Sequence, residues 1–323
     1  MRDIRQGPRA KMEHVLAIVA PGQGAQTPGF LAPWLEDAHF ASRLQELSDV
    51  VGLDLVHYGT EADAETIKDT AIAQPLLVAA GLLAGEALTR SVPFAGVDVL
   101  AGHSVGEVTA AAAAGVLAGI DAIVFVRERA NGMAEASALR PTTMAAVVRG
   151  EPDAVLAAIE AVGATAANNN GAGQIVAAGT VEQIEALKAN PPEKARVIGL
   201  AVAGAFHTEH MEPGRVRVEA TASGMTAHDP STTLLSNADG QAVDSGADYV
   251  ARLVSQVTSP VRWDLCMATM AELGVTGILE LPPAGTLTGI AKRNMPGVEL
   301  FNLNTPDQID EAREFIARHN GKA

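Results

Sequence analysis

The chain has a single cysteine, Cys266, among 323 residues, which excludes an internal disulfide framework and agrees with a reducing compartment. A cytoplasmic location is therefore expected, and the helical apolar spacing of "VRWDLCMATMAELG" makes Cys266 a buried structural residue. Basic residues are scarce as well. Twenty-three Lys and Arg against 38 Asp and Glu leave a formal charge of −15, which argues against a nucleic-acid partner, because neutralising phosphates requires clustered cations. Long apolar runs are also missing. The weakly polar stretches around Leu76–Gly85 and Ala110–Ile120 stop short of the roughly 18–20 apolar residues that cross a bilayer, so no membrane span is expected. Behind the basic N-terminus the run Val15–Ala20 falls at or below the roughly 7-residue core of a secretory signal and reads as a first strand. Residues 1–13 are expected to form an unstructured extension.

What is present is an alternation of strand and helix signals. "HVLAIVA" reads as a strand, "LQELSDVVG" and "AQPLLVAAGLLAGEALTR" as helices, "GVDVLAG" as a strand and the alanine-rich run after it as a helix, the pattern of a parallel sheet covered by helices. Between about Met144 and Val202 the order becomes βαββαβ, a ferredoxin-like unit, after which strand and helix signals resume. The expected fold is thus α/β: a hydrolase-like parallel-sheet large domain (14–140 and 206–323) interrupted by a small ferredoxin-like α+β domain (141–205). Pro213 and Gly214 disturb the helix that would follow His207.

"GHSVGE" fits Gly-x-Ser-x-Gly, in which a tight strand-to-helix turn exposes the serine hydroxyl. The competing reading of Ser104 is an ordinary turn residue, but a strand reading before it and a helix reading after it supply the context a nucleophile needs. The helix N-terminus would let the Val105 amide stabilise an oxyanion formed on an ester at Ser104. A second donor is required, and "APGQGAQ" is suited to supply it at Gln23, since Gly22 and Gly24 allow close backbone approach. As a dinucleotide-binding turn this loop fails, because Thr27 stands where the third glycine of Gly-x-Gly-x-x-Gly belongs. Among eight histidines, His207 in "VAGAFHTEH" lies where the inserted unit ends, a junction that favours clefts; a surface histidine is the alternative. An imidazole with a pKa near about 6.5 can take the serine proton and return it to a leaving thiol. His207 and His210 lack a third ligand at suitable spacing and His-Glu-x-x-His is absent, so no metal is expected.

Taken in order, "PGQGAQ", "GHSVGE", "VRERA", "NNNGAGQIVAAG", "GAFH", "SPVRW" and "ELPPAGTLTGIAKR" resemble the malonyl-CoA:acyl-carrier-protein transacylase family from about Val15 to Thr305. The resemblance implies Ser104 as nucleophile, His207 as base, and Gln23 and Val105 as oxyanion donors. It implies that Arg129 grips the malonyl carboxylate, a role suited to a guanidinium fork; Arg127 is the neighbour most easily confused with it, but lies about 200° away in helical phase. Asn170 would line the cleft, and the main-chain carbonyl of Gln256 would orient His207 in place of a triad carboxylate. Phe206 would fill the space that a 2-methyl branch needs, giving a preference for malonyl units. The implied partners are malonyl-CoA and an acyl carrier protein of fatty acid or polyketide synthesis, with a CoA thioester as substrate and no bound cofactor. Lys292 and Arg293 are the candidate contact for an acidic carrier. The rival reading is a serine thioesterase or esterase on the same scaffold, which would need no carboxylate clamp.

Overall fold

The computed structural model describes residues 14–89, 94, 96–202 and 204–320; the extension expected at 1–13 lies outside them. Among the described residues, ten strands form two sheets. β1 (Leu16–Ala20), β2 (Val99–Gly102), β7 (Thr233–Leu234), β9 (Gly277–Glu280) and β10 (Glu299–Asn302) make an all-parallel sheet in the order β10-β9-β1-β2-β7. β3 (Thr142–Val148), β4 (Thr165–Asn169), β5 (Gln174–Thr180), β6 (Arg196–Gly199) and β8 (Val261–Arg262) make the second, in the order β6-β3-β5-β4-β8. The first four of these are antiparallel and have the ferredoxin-like order. The fifth, β8, runs parallel to β4, so a segment far along the chain stitches onto the small sheet.

Parallel strands are buried on both faces, and β1 shows why its sequence is apolar throughout. Leu16, Ile18 and Ala20 enter one core, whereas Val15, Ala17 and Val19 enter the other, the two-residue period of a strand. The small sheet divides likewise: Ala145, Val147, Ile175 and Ala177 pack on its own two helices with Val155, Ile159, Ile184 and Leu187. Its opposite face, carrying Met144, Ala146 and Val176, is turned to the large sheet and roofs a cavity.

The helix Thr70–Thr89 is long and apolar enough by composition to cross a membrane, contrary to the expectation from its sequence, but 83% of its most apolar window is buried within the fold. It is a core helix, packed on the helix Gly119–Ala138. After His207 a short turn leads into the helix Glu212–Ala222, with Pro213 in its first turn where no N–H is needed. Gly214 meets Gly132 of the helix Gly119–Ala138 so closely that a Cβ on it would come 2.9 Å from that glycine's carbonyl carbon. The irregularity of this sequence is therefore a close helix crossing. Buried Glu280, at the end of β9, accepts the N–H groups of Gly285, Leu287 and Thr288 and so caps the helix Thr286–Asn294, which forms another wall of the cavity.

Candidate active site

Ser104 sits at φ 53° between β2 and the helix Gly106–Ala113. The glycines around it are required by contact. A Cβ on Gly102 would lie 2.0 Å from the Gly106 carbonyl carbon, and one on Gly106 would lie 2.2 Å from the Ala20 carbonyl oxygen. The turn is pinned by buried Asn237, whose Oδ1 accepts the Ser104 N–H at 2.8 Å and whose Nδ2 donates to the Gly102 carbonyl at 2.8 Å. We expect Asn237→Ala to lower stability by about 1–3 kcal/mol, since a buried N–H and C=O lose their partners. Urea unfolding checks this, and a loss below about 0.5 kcal/mol, the ordinary range for surface changes, would contradict it.

His207 comes from the segment that leaves the small sheet, 103 residues from Ser104, yet its Nε2 lies 2.8 Å from the Ser104 hydroxyl. Its Nδ1 lies 2.8 Å from the Gln256 carbonyl oxygen. A carbonyl only accepts, so Nδ1 carries the proton and Nε2 presents its lone pair to Ser104. His207 is also held at positive φ, 61°. Two non-glycine residues in the left-handed region, each costing about 1–3 kcal/mol, face each other across one hydrogen bond. Burial first, then the charge of Arg129, pushes the His207 imidazole down to about 3, so it is neutral at physiological pH.

Arg129 is 1% exposed on the helix Gly119–Ala138. Its Nη1 donates to Gln74 Oε1 at 2.6 Å, and its Nη2 donates to Gln256 Oε1 at 2.7 Å and to the Ser104 hydroxyl at 3.3 Å. Arg127 points elsewhere, donating to the Ala71 carbonyl, as helical phase requires. Burial lowers the Arg129 pKa to about 10 and the nearby Glu107 resists the shift, so the guanidinium stays charged at neutral pH. Among the described residues it has no carboxylate within ion-pair distance.

Gln23, Asn170 and Phe206 line the same cavity of about 480 Å³, together with Ser104, His207 and Gln74. The loop that carries Gln23 presses on the serine turn, for a Cβ on Gly22 would lie 2.9 Å from the His103 carbonyl oxygen. Val105 is the residue before the first turn of the helix Gly106–Ala113, and among the described residues neither its N–H nor that of Gln23 is paired with an acceptor. Asn170 Oδ1 lies 3.0 Å from His103 Nε2, tying the small sheet to the elbow. Gln74, Asn237, His103 and Glu107 complete the constellation, and motif reading did not single them out. Gln74 had one faint signal, as the single amide in an otherwise apolar helix. His210 contacts Arg140 on the surface, and among the described residues no group of three potential metal ligands occurs. Cys266 is buried and donates to the Ser236 carbonyl, a structural residue.

A strained serine elbow on a parallel α/β sheet, a histidine on its hydroxyl and a second sheet closing the cavity define a serine acyl-transfer protein. The chain belongs to the acyl transferase domain family, whose model matches residues 18–308. Within that family it is 50% identical to the malonyl CoA-acyl carrier protein transacylase of Mycobacterium tuberculosis, over 92% of this chain and 99% of that protein. The Haemophilus influenzae protein of the same name is 31% identical over 93% of this chain and 98% of its own length. The crystal structure of MCAT from Mycobacterium tuberculosis matches with a TM-score of 0.90, covering 93% of this chain and 100% of that one. A type II PKS acyl-carrier protein in complex with its malonyl-transacylase also matches, at 28% identity, with a TM-score of 0.85, 93% of this chain covered and 99% of that one.

Proposed function

We propose that this chain transfers the malonyl group from malonyl-CoA to the phosphopantetheine thiol of an acyl carrier protein, supplying extender units for fatty acid or polyketide synthesis, through a malonyl ester on Ser104. The observation that carries the substrate assignment is Arg129. Its nearest carboxylate, Glu107, is held one amide away by Gln256 rather than in contact, so a buried cation touching the nucleophile gains most from a counter-charge that the substrate brings. Gln74 and Gln256 fix the guanidinium plane, leaving further donors for a carboxylate.

In the first half-reaction His207 Nε2 takes the Ser104 proton as the hydroxyl oxygen attacks the thioester carbonyl. The oxyanion rests on the amides of Gln23 and Val105, and its collapse breaks the carbon–sulfur bond; the CoA sulfur then takes the proton from His207. The carrier thiol reverses these steps. Arg129 disfavours the imidazolium in the free protein, so a malonyl carboxylate seated on it offsets that charge and makes His207 a stronger base once substrate is bound. Gln256 replaces the triad carboxylate by orienting His207 through its carbonyl. Acyl exchange between a thiol and a hydroxyl needs neither redox nor metal chemistry, so the reading includes no cofactor.

The reading divides the chain into a large unit, 14–140 and 206–323, and a small unit, 141–205, with the cavity between them. β3 to β6 support that division, and Asn170 supplies the cleft wall from the small side. Arg293 supports a carrier contact at the cavity mouth with Lys292, since its Nη2 donates to the cavity-lining Gln174. A reducing, cytoplasmic setting accords with the lone buried thiol. Phe206, 7% exposed beside His207, fills space that a 2-methyl branch would require. Phe206→Ala should narrow the preference for malonyl-CoA over methylmalonyl-CoA by about 1–3 kcal/mol, as read from kcat/KM ratios; an unchanged ratio contradicts that role. The overall reading is tested by initial rates with malonyl-CoA and holo acyl carrier protein. Parallel double-reciprocal lines are expected for a covalent relay, whereas intersecting lines would contradict it.

A further inference from the structure

Glu107 is a buried carboxylate beside this machinery that the reaction does not use. It stands in the first turn of the helix Gly106–Ala113, 1% exposed. Its Oε1 accepts the Asn237 N–H at 2.6 Å and the Tyr249 hydroxyl at 3.4 Å, and its Oε2 accepts the side-chain amide of Gln256. The same Gln256 Nε2 donates to the Ser104 carbonyl at 3.1 Å. A primary amide has two donors at nitrogen and its acceptor at oxygen. With both donors engaged, Gln256 must turn Oε1 to Arg129. A flipped amide would set its NH2 against the guanidinium and its oxygen against the carboxylate, two repulsive contacts in a buried site. The main chain of Gln256 meanwhile holds His207. One residue therefore holds both the clamp and the base.

Resting on the transferase reading above, we propose that Glu107 is a positioning residue: its carboxylate fixes the Gln256 amide, and through that amide's oxygen sets Arg129 for the substrate carboxylate. The Asn237 N–H and the Gln256 side-chain amide are obligate donors, one on each carboxylate oxygen, and the ionised form accepts from both; the Tyr249 hydroxyl, which also lies 3.3 Å from the Leu235 carbonyl oxygen, can donate or accept. Burial pushes Glu107 up to about 7, against the pull of Asn237, Gln256, Tyr249 and Arg129. The titratable groups facing it are Arg129 on the helix Gly119–Ala138, Tyr249 on the helix Gly246–Gln256 and Cys266 on the helix Trp263–Glu272, with His207 one residue away through Gln256. Tyr249 and Cys266 are raised by burial and stay neutral, Arg129 stays charged near neutrality, and His207 lies far below. In the free protein near neutrality, Glu107 is the member of this group that changes charge.

The test is single-turnover acylation of Ser104 from about pH 5 to about pH 9, with malonyl-CoA and with acetyl-CoA, which lacks the carboxylate. In the unaltered protein the malonyl rate should rise through an acid limb with its midpoint near 7. Absence of any acylation there would remove the transferase reading itself, before variants are compared. Glu107→Gln keeps the shape but leaves one acceptor oxygen for two obligate donors, the Gln256 amide and the Asn237 N–H, so its NH2 must face one of them. It should lose roughly 100-fold with malonyl-CoA, the scale of a misplaced reacting group, and far less with acetyl-CoA, and its limb near 7 should vanish. A purely structural role would lower both substrates alike. An unchanged malonyl-to-acetyl ratio, or a limb that persists in Glu107→Gln, overturns the proposal. Should that variant fail to fold, Tyr249→Phe removes one donor and should move the limb to higher pH; a limb that stays in place there overturns it equally.

Discussion

His207→Ala is expected to slow acylation of Ser104 by roughly 10²–10⁴-fold at neutral pH, the contribution of a positioned general base. The geometry leaves no substitute. His103, the nearest other imidazole, lies at 3.0 Å from Asn170, and its pKa is lowered by burial. Arg129, in contact with the hydroxyl, is a donor only. Rapid-quench measurement of the acylation rate checks the loss. A variant within about tenfold of the unaltered rate, a loss of about 1.4 kcal/mol, would mean that Ser104 is activated by another group.

Arg129→Ala should lower kcat/KM for malonyl-CoA by about 2–5 kcal/mol, the cost of removing one partner from a buried, hydrogen-bonded charge pair. The effect should be selective. Acetyl-CoA has no carboxylate to strand, so the ratio of malonyl to acetyl turnover should collapse toward unity. The substitution also frees the oxygens of Gln74 and Gln256, so folding should be checked in parallel by thermal unfolding. Loss of both activities with a native melting profile would show that Arg129 serves the chemistry generally. An undiminished malonyl rate would favour the esterase reading, which needs no clamp.

The elbow was legible in the sequence because the residues that mark it are local, although the contact that requires Gly106 comes from distant Ala20. Gly102 and Gly106 stand within two residues of Ser104, and each is required by a backbone contact that any side chain would break. The ferredoxin-like order was legible for a related reason, since its strands alternate within a continuous stretch and pair with near neighbours. Asn237 and Glu107 were not legible. Asn237 reaches Ser104 across 133 residues, and the Glu107–Gln256 contact spans 149, so neither leaves any periodic trace. The two-residue strand β8 is similarly too short to carry a pattern of its own, and what defines it is the strand it pairs with, whereas β7 falls within "TTLLSN", whose apolar centre reads as a strand. The helix after His207 looked irregular because Gly214 answers to Gly132 on another helix, a tertiary demand that overrides local propensity.

A covalent malonyl group carried by Ser104 is the intermediate that the proposed transfer requires. Intact-mass measurement after brief mixing with malonyl-CoA, followed by peptide mapping, tests it most directly. One added malonyl group is expected, located on the peptide containing Ser104, absent in Ser104→Ala and discharged faster by holo acyl carrier protein than by water. No adduct in the unaltered protein, or an adduct that water removes faster than the carrier does, would contradict it.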